Sequence, residues 1–373
     1  MDIVCCSLES WDQVWRRNQF LAAELLRHDP LCRILFVEPP IDRAWAMIHG
    51  RTEAKAGLRP VEGWDHLWAL TPVKWLPRRL HPNADRWLGR QAARAAESLT
   101  FEDPVLWIND SGYAVLAEEV GWPVVYDITD DWLRTRLPER ELRRQRLNDS
   151  RLLSRATEVV VCSADLASSR GRNREVKLIP NGVDVEHFRR AAPRPRDMPG
   201  GRTAVYVGTL TDQRVDVGLC DIVAKSLNGQ ATLVLIGPNH LGDEVTVTWR
   251  KLGVEILGPR PYELIPAYMQ HADVLVVPHV ISSFTESLDP IKAREIEAVG
   301  RPAVVTPAAG FRELGPPAVV IEADGFVDAV MTILGREPVP AGPGLVRDDI
   351  PSWSKRAADF REVLEAASRT AKL

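Results

Sequence analysis

The stretch Ser287 to Thr306, SLDPIKAREIEAVGRPAVVT, holds the residues best suited to chemistry. Asp289 is a good helix N-cap, and Pro290 suits the first helical position, where its missing N–H costs nothing. The helix should run to about Val299 and stop at Gly300, with Pro302 just beyond and a buried parallel strand from Ala303. Such a helix start offers N–H groups and a positive dipole end to an anion. Lys292 adds a formal positive charge one turn in, and Glu295 follows on the same short helix. A phosphate at the helix mouth with a carboxylate nearby suits a nucleoside diphosphate and its ribose hydroxyls. The same residues would equally make a well-capped helix with solvent-facing charges and no ligand.

In an open parallel sheet, ligands gather at the carboxyl ends of the strands. The strand Thr203–Val207 runs into Gly208 and Thr209 and on to Arg214; glycine lets a ligand approach the backbone and arginine can pair with phosphate. Ala231–Ile236 ends in Gly237-Pro238-Asn239-His240. Val254–Leu257 ends in Gly258-Pro259-Arg260-Pro261-Tyr262, a stiff loop able to line a base pocket. Val274–Val277 ends in Pro278-His279. Four glycine- or proline-marked loops on one sheet edge favour nucleotide binding over a scaffold. In the first half, Asn109-Asp110-Ser111-Gly112, Thr129-Asp130-Asp131-Trp132 and Ser7–Trp11 follow strands in the same way. Asp130 and Asp131 can orient an acceptor hydroxyl or assist removal of its proton, with helix capping as their plainer use. Trp11, Asn109 and Asp110 are acceptor-binding candidates, whereas His240 and His279 read as surface polar residues.

The elements that must position these residues alternate throughout. Strands are expected at Ile3–Cys6, Arg33–Val37, Val105–Ile108, Val124–Asp127, Val159–Cys162 and Leu178–Ile179, with helices such as Val14–Arg27 and Leu137–Ala156 between them. This βαβ series predicts a parallel sheet covered by helices on both faces. The Pro-, Gly- and Arg-rich run Arg189–Arg202 reads as a linker, after which the pattern restarts as a second α/β domain. The boundaries are 1–190, a linker 191–202, 203–350 and a C-terminal helical segment 351–373. Ala44–Arg90 carries five tryptophans, His66, His81, Lys74 and Arg78-Arg79; it suits an acceptor-binding insertion, a membrane-touching surface, or a loop-helix excursion folded onto the domain.

Composition excludes several classes. At 373 residues, 45% hydrophobic and a net charge of −4, the chain calls for neither nucleic acid nor an acidic membrane. The five cysteines are scattered and form no CxxC pair, so they read as reduced core thiols of a cytoplasmic protein. No basic leader or long apolar stretch opens the chain. No GxGxxG follows the first strand, and there is no Walker A sequence, HExxH motif, Cys/His ligand cluster or GxSxG elbow. A metal-independent enzyme without a cofactor is expected.

Taken together, the residues resemble the GT-B glycosyltransferases, and within them the retaining family-four group, in the branch related to the teichuronic acid biosynthesis glycosyltransferases. The pieces that carry this likeness are Val125-Tyr126-Asp127 to Asp130-Asp131, Val161 to Leu166, Ile179-Pro180-Asn181-Gly182-Val183-Asp184, Tyr206-Val207-Gly208, Ile236-Gly237-Pro238, Leu257-Gly258, Ala272-Asp273-Val274, and Asp289-Pro290-Ile291-Lys292 through Glu295 to Gly300-Arg301-Pro302. The resemblance implies two Rossmann-like doubly wound domains with a C-terminal crossover helix. It implies that Glu295 holds the donor ribose, that the Leu288 and Asp289 amides meet the diphosphate, that Arg214 replaces a phosphate-binding lysine, and that Gly258–Arg260 meets the base. The family's first glutamate falls at Ser287 and its glycine-following arginine at Thr209, so these two complete the expected donor site as departures. Arg214 and Lys292 are expected to stabilise the leaving diphosphate, beside Asp130 and Asp131 as the other catalytic candidates. The implied partners are a nucleotide-sugar donor and a carbohydrate, lipid-linked or natural-product acceptor, with peripheral membrane contact open and no nucleic acid. A nucleotide-sugar epimerase or pseudo-glycosyltransferase, and a catalytically silent partner subunit, are the alternative readings.

Overall fold

The computed structural model describes residues 1–43, 56–75, 83–344 and 349–370. It divides into two compact α/β units, residues 1–180 with 354–373, and residues 181–353.

The first unit is built on one sheet. Its strands are β1 (Asp2–Cys6), β2 (Arg33–Val37), β4 (Gly57–Pro60), β5 (Leu67–Thr71), β7 (Val105–Ile108), β8 (Val124–Ile128), β9 (Glu158–Val161) and β10 (Lys177–Leu178), with β3 (Ile41–Asp42) and β6 (Val73–Lys74) forming a separate pair. The order is β10-β9-β8-β7-β1-β2-β5-β4, parallel throughout except for β4 against β5. Helices cover it because the inner strands are apolar on both faces, as in Val105–Ile108 and Val124–Ile128, where every residue is buried. From Ser354 on, the last helix, Trp353–Thr370, belongs to this unit, and its Phe360 ring lies 4.7 Å from Trp107 in β7.

The second unit has six parallel strands: β11 (Arg202–Val207), β12 (Ala231–Ile236), β13 (Glu255–Gly258), β14 (Val274–Val277), β15 (Ala303–Val305) and β16 (Ala318–Val320), ordered β13-β12-β11-β14-β15-β16. Numbered within the unit this is 3-2-1-4-5-6, the doubly wound order whose direction reverses between the first and fourth strands. The two Rossmann-like sheets expected from the sequence are present.

Three differences from the sequence reading stand out. The first unit ends at Pro180, ten residues early, and the run 191–202 is no free linker. Gln270, fully buried, donates to the carbonyls of Phe188 and Arg190 and accepts from the Ala192 N–H at 3.0 Å, so the run is bound to the second unit. Among its described residues the Trp-rich segment contributes β4, β5 and β6 and the first turns of the helix Ala84–Ser98. Of it, Trp45, His81 and the Arg78-Arg79 pair lie outside the described residues. Within it, Trp64 joins Trp11, Trp15 and Phe36 in an edge-to-face aromatic cluster, while Trp75 is exposed with the Arg43 guanidinium 4.9 Å above its ring. No described helix is long and apolar enough to cross a membrane.

Candidate functional site

The reversal of the second sheet lies between β11 and β14, and the chemistry-bearing residues collect there. At the end of β11, Gly208 has φ +153°, and a Cβ there would stand 2.8–2.9 Å from the Lys292 ammonium end and the Tyr206 hydroxyl. Glycine is therefore what lets Lys292, from the helix Ile291–Val299, reach back over the strand end, with its ammonium 5.5 Å from the Tyr206 ring centre. The loop carrying Arg214 is zipped to the exit of β14: the Val280 N–H donates to the Arg214 carbonyl at 2.8 Å and the Asp216 N–H to the Pro278 carbonyl at 2.8 Å. The Arg214 guanidinium packs 5.7 Å from the Phe284 ring centre.

Two cations thus converge on one strand edge. Burial lowers the Lys292 pKa and Arg214 lowers it further, while Glu295, one turn along the same helix, opposes the fall. Burial raises the Glu295 carboxyl, with Lys292 and His187 pulling it back. His279, read from sequence as a surface residue, is buried. Its Nε2 lies 3.2 Å from the Tyr206 hydroxyl, and burial, then Lys292 and Arg214, hold its pKa down at about 3. The imidazole is thus neutral and adds no third positive charge to the two cations, whose charge a bound anion would balance.

The structure alters several expected roles. Asp289 is not the helix cap: Pro290 holds that position, and the Asp289 carboxylate instead accepts the Asn181 N–H at 2.5 Å, while the Asn181 amide donates to the Asp289 carbonyl. The Asn-Gly string and the phosphate-helix string, read apart in the sequence, are hydrogen-bonded partners. Ser287 is fully buried, and its hydroxyl donates to the Phe284 carbonyl at 2.6 Å, so its side chain offers a donor nothing. The nearby Glu286 is engaged by the Arg312 guanidinium at 2.6 Å. The Leu288 N–H donates to the Thr285 carbonyl at 3.4 Å, a long hydrogen bond. Arg260 is tied to Asp197 at 2.6 Å and to the Leu257 and Pro259 carbonyls, so it stiffens its own loop rather than reaching for a base. Gly258 has φ +73° and open space where a Cβ would stand, and Thr209 follows Gly208 with its carbonyl accepting the Tyr206 hydroxyl at 3.4 Å.

The first sheet reverses between β1 and β7, and a cavity of about 240 Å³ opens beside that point. Its strand-end wall is Leu8, Asn109, Ile128, Thr129 and Asp130. Its other wall comes from the helix Glu139–Arg155 through Glu141, Gln145 and Asp149, with Arg170 beside them and Trp132 at the mouth. Asn109 lines the cavity and cross-links the strand ends: its amide oxygen accepts from Asn18 at 2.8 Å, and its nitrogen donates to the Asp127 carbonyl at 3.0 Å and to the Thr129 hydroxyl at 3.1 Å. Asp110 caps a turn through the Gly112 N–H at 2.8 Å. Asp131 is 2% exposed, caps the turn at Leu133, and pairs with Arg170 at 2.9 Å and Arg134 at 3.0 Å, so its carboxylate is engaged in holding these elements together. Trp11 belongs to the aromatic cluster and not to the cavity wall. Asp130 does line the cavity. Asp149 and Arg170 escaped the sequence reading, as did the place of Tyr126 in this wall; the Tyr126 hydroxyl donates to Asp149 at 2.9 Å, and burial raises the Asp149 carboxyl. Among the described residues, no group of three or more His, Cys, Asp or Glu converges as metal ligands.

Comparison with known proteins agrees with this geometry. Residues 201–336 match the family described as Glycosyl transferases group 1. The chain is 26% identical over 255 residues to the candidate teichuronic acid biosynthesis glycosyltransferase TuaH of Bacillus subtilis (strain 168), an alignment spanning 62% of this chain and 64% of that protein. Among solved structures it is similar to the UDP-forming α,α-trehalose-phosphate synthase of Burkholderia xenovorans, in complex with glucose-6-phosphate (TM-score 0.66, 12% identity, 98% of this chain and 99% of that one). It is also similar to Anabaena Alr3699/HepE in complex with UDP-glucose (TM-score 0.61, 14% identity, 100% of this chain and 98% of that one).

Proposed function

We propose that this chain, whose residues 201–336 are a group 1 glycosyl transferase domain within a GT-B fold, transfers a sugar from a nucleoside diphosphate sugar to an acceptor hydroxyl. The observation that carries the reading is Lys292 reaching back over Gly208 at the reversal of the second sheet, with Arg214 near enough to lower its pKa and Glu295 on the same helix. As the bond from the sugar to the diphosphate breaks, the leaving oxygen gains charge. Two preplaced cations and the first N–H groups of the helix Ile291–Val299 would stabilise that charge without reorganising. Glu295 would accept hydrogen bonds from the donor ribose hydroxyls, and the Leu288 and Asp289 amides, Thr209 and the open Gly258 turn would border the diphosphate and base.

In this reading the cations do the work a metal does elsewhere, and the anomeric configuration is retained, with the leaving phosphate oxygen taking the acceptor proton on the face it departs from. The likeness of the Asp289-to-Pro302 string to retaining enzymes supports retention. We place the reaction in the cytoplasm, on the support of five free, buried thiols. The burial of Ser287 where the family has a glutamate favours one second reading, a donor-binding subunit without turnover. Thermal-shift measurements with UDP, GDP, TDP and ADP test the site, since a bound nucleotide raises the melting temperature by mass action. One nucleotide should bind the wild type, and Lys292→Ala and Arg214→Ala should each weaken it at least tenfold, about 1.4 kcal/mol. No shift with any nucleotide overturns the donor site. Binding without release of nucleotide from the matching sugar donor, across an acceptor panel, selects the silent subunit.

A further inference from the structure

The cavity in the first unit has a chemistry of its own. At about 240 Å³ it is below the range of drug-sized pockets and has room for a single ring with a few waters. Leu8, Ile128, Leu133 and Leu137 supply an apolar side, and Trp132, 37% exposed, offers an indole at the mouth. The opposite side presents hydrogen-bonding groups on successive turns of the helix Glu139–Arg155: Glu141, Gln145 and Asp149. Gln145 is held in place by the Ser111 hydroxyl at 2.6 Å, and Asp149 by the Tyr126 hydroxyl at 2.9 Å. A flat ligand with one apolar face and a polar edge matches these two walls.

The charge of the lining limits what that ligand is. Three carboxylates line the cavity, Asp130, Glu141 and Asp149, against one guanidinium, Arg170. Arg170 is already spoken for by Asp131 at 2.9 Å and Asp149 at 3.4 Å. Glu141 is likewise paired with Arg144 at 2.6 Å, so a phosphate or carboxylate entering here finds no lining cation that is not already committed to a carboxylate of the protein.

We propose that this cavity is the acceptor subsite and that it takes one uncharged, hydroxyl-rich sugar ring, stacked on Trp132 and hydrogen-bonded by Gln145 and Asp149, while excluding phosphorylated or carboxylated sugars. The proposal rests on the glycosyl-transfer reading for the word acceptor, but the binding it claims is measurable without turnover. Saturation-transfer NMR on the full chain, with methyl glucoside and methyl mannoside against glucose 6-phosphate and glucuronate, provides the test. The expected result is transfer to at least one neutral glycoside and none to the two anions. Gln145→Leu and, separately, Trp132→Ala should each weaken the neutral glycoside at least tenfold. The nucleoside diphosphate shift of the second unit should remain in both variants, which separates loss of this subsite from failure of the donor site. Trp132 is exposed, so its variant keeps the question open to test if Gln145→Leu misfolds. Equal or stronger binding of the anions, no binding of either neutral glycoside, or wild-type affinity in both variants would overturn the proposal.

Discussion

His279 shows how far a single side chain can depart from its sequence appearance. A histidine after Val277-Pro278 looks like a loop residue, yet its ring is packed edge-on to Phe311, at 5.4 Å, and to Tyr206, at 5.9 Å. Burial, reinforced by Lys292 and Arg214, holds its pKa at about 3 against an ordinary 6.5. A histidine whose folded value is depressed stabilises the fold when neutral. That contribution is full above about pH 6.5 and is lost as pH falls toward 3. Unfolding free energies measured across this window should fall more steeply in the wild type than in His279→Gln, by up to about 1.4 kcal/mol per pH unit. Parallel curves would show that the ring accepts a proton without cost, and hence that the cations do not press on it. Arg214 and Lys292 themselves were legible in the sequence because each follows a strand end or opens a helix, where ligand-facing residues fall in parallel sheets. The partners of Ser287, Asp131 and Arg260 were not legible in the sequence, for a common reason. Each sits at a suggestive position, but its polar atoms are consumed by neighbours that only the folded chain brings near, Phe284, Arg170 and Asp197 among them.

At the scale of elements, the buried strands were the readable part. Val274–Val277 and Ala231–Ile236 appear at the expected residues because strands covered on both faces are continuous β-branched and aliphatic runs. The strand Leu67–Thr71 was not foreseen, since its Leu-Trp-Ala-Leu-Thr sequence sits among prolines, histidines and tryptophans that hide the period. The wall formed by Gln145, Asp149 and Arg170 was equally hidden, because a helix face and the end of the next helix meet there rather than consecutive residues. The Asn-Gly string acquires its meaning only between elements. Asn181 clamps Asp289 ahead of the helix Ile291–Val299, and a Cβ on Gly182 would stand 2.8 Å from the Ser352 carbonyl carbon and the Trp353 nitrogen, so glycine is required where those segments cross. Asn181→Ala should therefore act twice. It should destabilise the second unit by about 1–3 kcal/mol, the range for stranding buried hydrogen-bonding groups. It should also weaken nucleoside diphosphate binding, because the start of the helix loses its tether. Denaturant unfolding and nucleotide titration read the two effects, and a variant with unchanged stability and affinity would remove the clamp from the account.

At the scale of the whole molecule, the first unit is discontinuous in sequence, since residues 354–373 complete what residues 1–180 begin. Phe360 is fully buried against Trp107, itself fully buried in β7, and the His28 ring nitrogen lies 2.8 Å from the Ser354 hydroxyl. Phe360→Ala should cost the first unit about 3–5 kcal/mol, as for other buried phenylalanines, while the nucleotide affinity of the second unit stays near wild type. Unchanged stability by urea unfolding would show that the helix merely rests there. The same discontinuity governs biosynthesis. During translation the indole of Trp107 lacks its Phe360 neighbour until the entire second unit has been made, so the second unit, though later in the chain, is the first whose residues are all available to fold. The nascent first unit must therefore wait with an apolar face open, and its final closure belongs to the moments after the last helix leaves the ribosome.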